Sequence, residues 1–225
     1  MRSGPDIATS YRFARESFTA LARTLPTEAW STPVPCTPDW TVRDVLSHVS
    51  GITDDALAGR MDGAPGEAWT AAQIERNRPA TVDELLERWA AQAPTFAEII
   101  QQIGEWRPPF DCHTHEHDVR HAVGRPGNRD SIIVESMAAD LAVIDGCPVA
   151  LDVVLGGRPI RSGPAEGPAA VTLERITSFE LFRSRPGRRS REQMRAWNWV
   201  GDDADIEAVL DSWAFFGPTA TAIDE

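Results

Sequence analysis

Four of the five histidines in this 225-residue chain fall within nine residues, in the run Asp111-Cys-His-Thr-His-Glu-His-Asp-Val-Arg-His121. Imidazoles and carboxylates at this density are the residue types that bind divalent cations. If the run is helical, about 100° of rotation per residue sorts it into stripes. Asp111, His115 and Asp118 then fall within about 60° of one another, while His113, His117 and Arg120 point to the other side. Two stripes compete, Asp111/His115/Asp118 and His113/His117/His121, each with side chains one turn apart that could share a metal.

The fifth histidine favours the first stripe. His48 flanks an apolar stripe of Val42, Val45, Val49 and Ile52, so it can face a bundle interior from a second helix. One ligand from one helix plus an i, i+4 carboxylate and imidazole from another is a natural bundle-core metal site, and three protein ligands leave a fourth position open for chemistry. The expected ligands are His48, Asp111 and His115. Asp118 is either an acceptor behind His115 or a partner of Arg120 or Arg125. His113, His117 and His121 are expected on a solvated helix face.

Elements that would position these residues are readable from caps and periodicity. Apolar spacing at Ile7, Tyr11, Ala14, Phe18 and Leu21 predicts a helix from about Pro5 to Leu25. Pro33, Pro35 and Pro38 forbid helix in the next loop. Thr41 with Asp44 forms a capping-box pair opening a helix to about Arg60, with Trp40 at the staple position. Thr81 with Glu84 opens another to about Ile103, and Pro94 is expected to kink or split it. Phe110–Val123 and Arg129–Asp145 read as further helices. Beyond Gly146 the chain turns β-rich: Val149–Leu155, Val171–Ile176 and Ser178–Arg183 read as strands, with helices at Arg191–Trp197 and Ala204–Phe216. This predicts an α+β chain, a helical bundle over residues 1–147 and a small α+β domain over 148–225.

Composition narrows the function. With 22 basic and 34 acidic residues the net charge is −12, which repels a phosphate backbone, so neither nucleic acid nor an anionic membrane is an expected partner. Every Lys or Arg position is Arg, which removes Lys Schiff-base chemistry and leaves Arg, His, a metal or backbone amides to hold any anion. Three cysteines, Cys36, Cys112 and Cys147, without CxxC spacing read as free thiols in a cytoplasmic protein. No apolar run reaches the length of a membrane span.

The stretch Cys36-Thr-Pro-Asp-Trp-Thr-Val-Arg-Asp-Val-Leu-Ser-His48 resembles the first signature of the mycothiol-dependent maleylpyruvate isomerase-like family, a DinB-like group of metalloproteins. Phe110 to Gly127, with Asp-Val-Arg and a Gly-Arg-Pro turn after His115, resembles the second. The resemblance implies a metal-binding four-helix bundle followed by a sterol-carrier-like domain, with His48, Asp111 and His115 as ligands. Asp111 stands where the isomerase type has Glu. It further implies Zn²⁺ or another divalent metal, with mycothiol as co-substrate in cis-trans isomerisation or S-transfer. Metal-assisted hydrolysis, with Glu116 as a possible base, and a non-catalytic stress-response role are the rival readings. The expected partners are a small thiol and an electrophile, with a homodimer left open. Arg188 and Arg189, in the Arg-rich stretch from Arg183 to Arg195, are candidates for holding a substrate or thiol carboxylate.

Overall fold

The computed structural model describes residues 5–225 and divides into two compact units, one ending at Gly127 and one running from Asn128 to Glu225.

The first unit contains α1 (Ile7–Ala22), a short hairpin of β1 (Pro33–Val34) and β2 (Thr37–Thr41), α2 (Val42–Leu57), α3 (Glu67–Asn77), α4 (Val82–Ile103) and α5 (Arg107–Ala122). Its bundle is α1, α2, α4 and α5: α1 packs on α4 and α5, and α2 packs on α4, α5 and α3. Of the α1 stripe that the spacing marks, Tyr11, Ala14, Phe18 and Leu21 are buried and Ile7 is half-buried, and α4 buries Leu85, Trp89 and Phe96 against them. At the centre the Trp89 indole N–H donates to the Tyr11 hydroxyl at 2.8 Å, and that hydroxyl pairs with Thr53 Oγ1 at 2.6 Å, so the buried polar atoms of both rings are satisfied.

Both capping boxes form. Thr41 and Asp44 reciprocally satisfy backbone donors at the start of α2, as Thr81 and Glu84 do at α4. Pro94, expected to interrupt α4, lies inside a continuous helix. It is exposed, and so is Ala90, whose carbonyl loses its helical donor; water can serve that carbonyl. Pro108 and Pro109 lie within the first turn of α5, where a missing N–H costs nothing.

The second unit contains α6 (Ile132–Leu141), β3 (Leu151–Leu155), β4 (Arg158–Ser162), β5 (Val171–Leu173), α7 (Ser178–Ser184), α8 (Arg191–Arg195), β6 (Trp199–Val200) and α9 (Asp203–Trp213). The sheet order is β4-β3-β5-β6, with β3 antiparallel to β4 and parallel to β5. Gly156 and Gly157 join β3 to β4 with φ of 56° and 78°, a two-residue loop that demands left-handed backbone.

Two features differ from the sequence expectation. The helix expected at Arg129–Asp145 belongs to the second unit, because α6 packs on α7 and Ser178 Oγ donates to Glu135 at 2.8 Å; the compact units therefore part at residue 127, not near 147. Ser178–Arg183, read as a strand, is helix α7. Thr177 caps it by accepting from the Glu180 N–H at 3.1 Å, and this Thr-x-x-Glu start signal outweighs a short apolar run that fits either period. Among the described residues no helix is long and apolar enough to cross a membrane.

Candidate metal centre

α2 and α5 bring His48, Asp111 and His115 together. One ligand atom from each lies within 4.8 Å of the others. His48 Nε2 stands 3.5 Å from Asp111 Oδ2, and His115 Nε2 stands 3.6 Å from Asp111 Oδ1. Both imidazoles are buried, while the Asp111 side chain is about one-third exposed, so the group opens at the carboxylate.

The far nitrogens are held from behind. His48 Nδ1 pairs with Gln73 Oε1 at 2.8 Å, and because a carbonyl oxygen only accepts, Nδ1 carries the proton. His115 Nδ1 approaches Asp118 Oδ2 at 3.0 Å, a close contact more than an aligned hydrogen bond, and the carboxylate again draws the proton to Nδ1. In the neutral rings both Nε2 lone pairs then face a carboxylate, and three acceptors converge with no proton among them. This donor set fits a cation. Tetrahedral ligand atoms about 2.1 Å from zinc stand about 3.4 Å from one another, close to both spacings seen here. The imidazoles also meet nearly at right angles, 84° apart with ring centres separated by 5.1 Å. Trp40, expected as a staple before α2 and also as a wall of the pocket around His48, lies against both rings, its ring centre 5.1 Å from that of His48 and 5.7 Å from that of His115.

Sequence reasoning missed Gln73 and Trp69, which lie on α3, a helix with no apolar period strong enough to announce it. The signal present was four-residue spacing: Trp69, Gln73 and Asn77 are the buried residues of α3.

The opposite face of α5 is corrected. His113 and His117 are buried, not solvated, and only His121 is half-exposed. α1 covers this face, with the Phe13 ring 5.9 Å from that of His113. Glu116 anchors it, taking His113 Nδ1 at 2.9 Å, Ser17 Oγ at 2.7 Å and Arg120 Nε at 2.8 Å. Burial alone raises a carboxyl pKa, but the bonds from His113, Ser17 and Arg120 outweigh it and bring Glu116 down to about 2 from 4.5. A depressed pKa stabilises the fold above about pH 4.5, and that contribution is lost as the pH falls toward 2. Glu116→Gln is expected to cost about 3 kcal/mol near neutrality and to flatten the pH dependence in this window. Urea melts of metal-free protein across the acid range measure both; an unchanged profile refutes the assignment.

The two candidate arginines, Arg188 and Arg189, are engaged internally. Arg189, buried, gives Nε and Nη2 to Glu180 at 2.8 Å each and Nη1 to the Arg188 carbonyl at 2.7 Å, a forked pair that leaves little for a substrate. Half-buried Arg188 donates Nη1 to the Pro186 carbonyl at 2.7 Å. The expected carboxylate-holding role is thus replaced, for Arg189, by a structural one.

Comparison with curated proteins and with solved structures gives no match. The model of the mycothiol maleylpyruvate isomerase N-terminal domain matches residues 11–125, a span that holds the bundle from Tyr11 of α1 onward and all three converging residues. That span is just over half of the chain, and the protein therefore belongs to the mycothiol maleylpyruvate isomerase N-terminal domain family.

Proposed function

We propose that His48, Asp111 and His115 hold one divalent cation, zinc by the nature of the donors, and that the protein uses it to present mycothiol as a thiolate to an electrophilic small molecule. The observation that carries this reading is the convergence of both Nε2 atoms on the Asp111 carboxylate, at 3.5 and 3.6 Å, with Gln73 Oε1 and Asp118 Oδ2 standing behind the two Nδ1 atoms. Bound there, the cation would supply Lewis acidity that lowers the pKa of a coordinated thiol.

The chain's own residues do the rest. His48 and His115 donate without adding charge, Asp111 adds one negative charge, and Trp40 walls both rings against water. The thiolate sulfur adds to the electron-poor carbon of an activated alkene, and the π pair moves to the neighbouring carbon. Rotation about the new single bond and loss of the same thiolate give cis-trans isomerisation with no net change of atoms. If the carbanion takes a proton from water instead, the product is the S-conjugate.

Two observations support an external thiol over the alternatives. Burial pushes the Cys112 thiol well up, with Glu116 and Asp111 adding to it, so this cysteine is no nucleophile. Glu116, the carboxylate weighed as a hydrolytic base, is fully buried on the far face of α5. Incubation with mycothiol and a panel of activated alkenes and epoxides tests the reading: thiol-dependent turnover abolished by chelator supports it. Metal-loaded protein without such turnover would put the non-catalytic role ahead.

A further inference from the structure

Behind His48 the hydrogen-bond chain does not end at Gln73. Gln73 Nε2 donates to Asp55 Oδ2 at 3.1 Å, and both residues are fully buried. The other oxygen, Asp55 Oδ1, accepts from Arg60 Nε at 2.7 Å and from Arg76. Asp55 lies on α2 with His48, two turns further along, while Gln73 reaches across from α3.

We infer that Asp55 is a positioning residue for His48, fixing through the Gln73 amide which imidazole nitrogen is free to bind metal. An amide has two ends of nearly equal shape, so contact with His48 alone leaves its polarity open. A carboxylate can only accept and therefore takes the NH₂ end of Gln73. The carbonyl end is left for His48, Nδ1 must carry the proton, and Nε2 keeps its lone pair. An opposing force makes this necessary: Asp111 Oδ2, 3.5 Å from Nε2, would draw the proton there and produce the tautomer that cannot ligate.

The contact between α2 and α3 is built for this relay. Gly51 faces Gln73, and a Cβ there would lie 2.9 Å from Gln73 Cβ and 3.1 Å from its Cγ. Glycine inside a helix is destabilising relative to alanine, because it loses more backbone freedom on folding. Here it lets Gln73 come close enough to span His48 and Asp55.

The inference rests on the reading of His48 as a ligand, but its first test needs no metal. Arg60 and Arg76 only donate, so in Asp55→Asn the new carbonyl must face them and the new NH₂ must face Gln73. The Gln73 amide then inverts, its NH₂ turns to His48, and the proton moves to Nε2. Long-range ¹H–¹⁵N correlation spectra of metal-free protein at alkaline pH read the tautomer directly. Wild type is expected as Nδ1–H and Asp55→Asn as Nε2–H. Zinc affinity, by competition with a chromogenic chelator, is expected to fall about 10- to 100-fold.

Gln73→Leu should weaken zinc similarly, and Asp55→Asn added to it should cause little further loss, because the relay is already cut. An Nε2–H tautomer in wild type overturns the inference even if no variant folds. So does Asp55→Asn that folds and keeps Nδ1–H, or full additivity with Gln73→Leu. A tautomer switch in protein that never binds zinc would uphold the relay and overturn the metal reading, so the two failures are distinguishable.

Discussion

His48→Ala and His115→Ala are each expected to reduce bound metal from about one equivalent to background, with affinity lowered by more than about 100-fold. The size follows from the donor count. With three protein ligands, loss of one leaves a carboxylate and a single imidazole, which is a surface-like pair with no claim on zinc over water. Asp111→Ala is expected to be as severe, because it removes the one negatively charged member of the three ligands and the group that both Nε2 atoms face. Elemental analysis of protein purified without a His-tag is the measurement. His117→Ala separates metal loss from damage to the fold: it is buried on the α1 side of α5, so it should lower thermal stability yet keep the metal. Metal loss in His117→Ala with retention in His115→Ala would place the site on the wrong face of the helix.

That face was legible in the sequence because helical geometry is rigid. Positions 111 and 115 lie one turn apart whatever surrounds them, and the capping box at Thr41 fixes where α2 begins, so His48 falls on a definite side. The environment of the other face was not legible. A run such as His-Thr-His-Glu-His carries no apolar signal, and the usual inference from polarity is exposure. It fails because Glu116 collects three donors at once, from His113, Ser17 and Arg120. Ser17 lies 99 residues away, on α1. Partners supplied by tertiary packing are invisible to local pattern.

The same limit explains α3. Its buried side chains are Trp69, Gln73 and Asn77, two of them polar: Gln73 bonds His48 and Asp55 on α2, Asn77 bonds the Ser47 carbonyl on α2 and Arg88 on α4, and the Trp69 indole N–H donates to the Arg60 carbonyl just beyond α2. The helix is held by hydrogen bonds across the α2–α3 contact, so hydrophobic periodicity had nothing to report. Turn chemistry was present at Thr177-x-x-Glu180, whereas the apolar Phe179, Leu181 and Phe182 form a run too short to distinguish strand from helix.

Binding of a small thiol to the zinc-loaded protein is expected to release about one proton, and chelation is expected to abolish both binding and release. Two neutral imidazoles and one carboxylate around a divalent cation give a net charge of about +1 before a fourth ligand enters, which favours an anionic sulfur over a neutral one. Among the described residues around the cluster, none is placed as a base to keep the proton. His48 Nδ1 is paired with the Gln73 carbonyl, His115 Nδ1 lies against the Asp118 carboxylate, and Asp111 is itself a proposed ligand. The proton must therefore leave for the buffer. Titration calorimetry with mycothiol in two buffers of different ionisation enthalpy measures it: the observed heats should differ by about one proton's worth of buffer ionisation, and Asp111→Ala should lose the signal with the metal. Equal heats in the two buffers would mean that the thiol binds without ionising, and a thiolate mechanism would then have to be abandoned even with zinc in place.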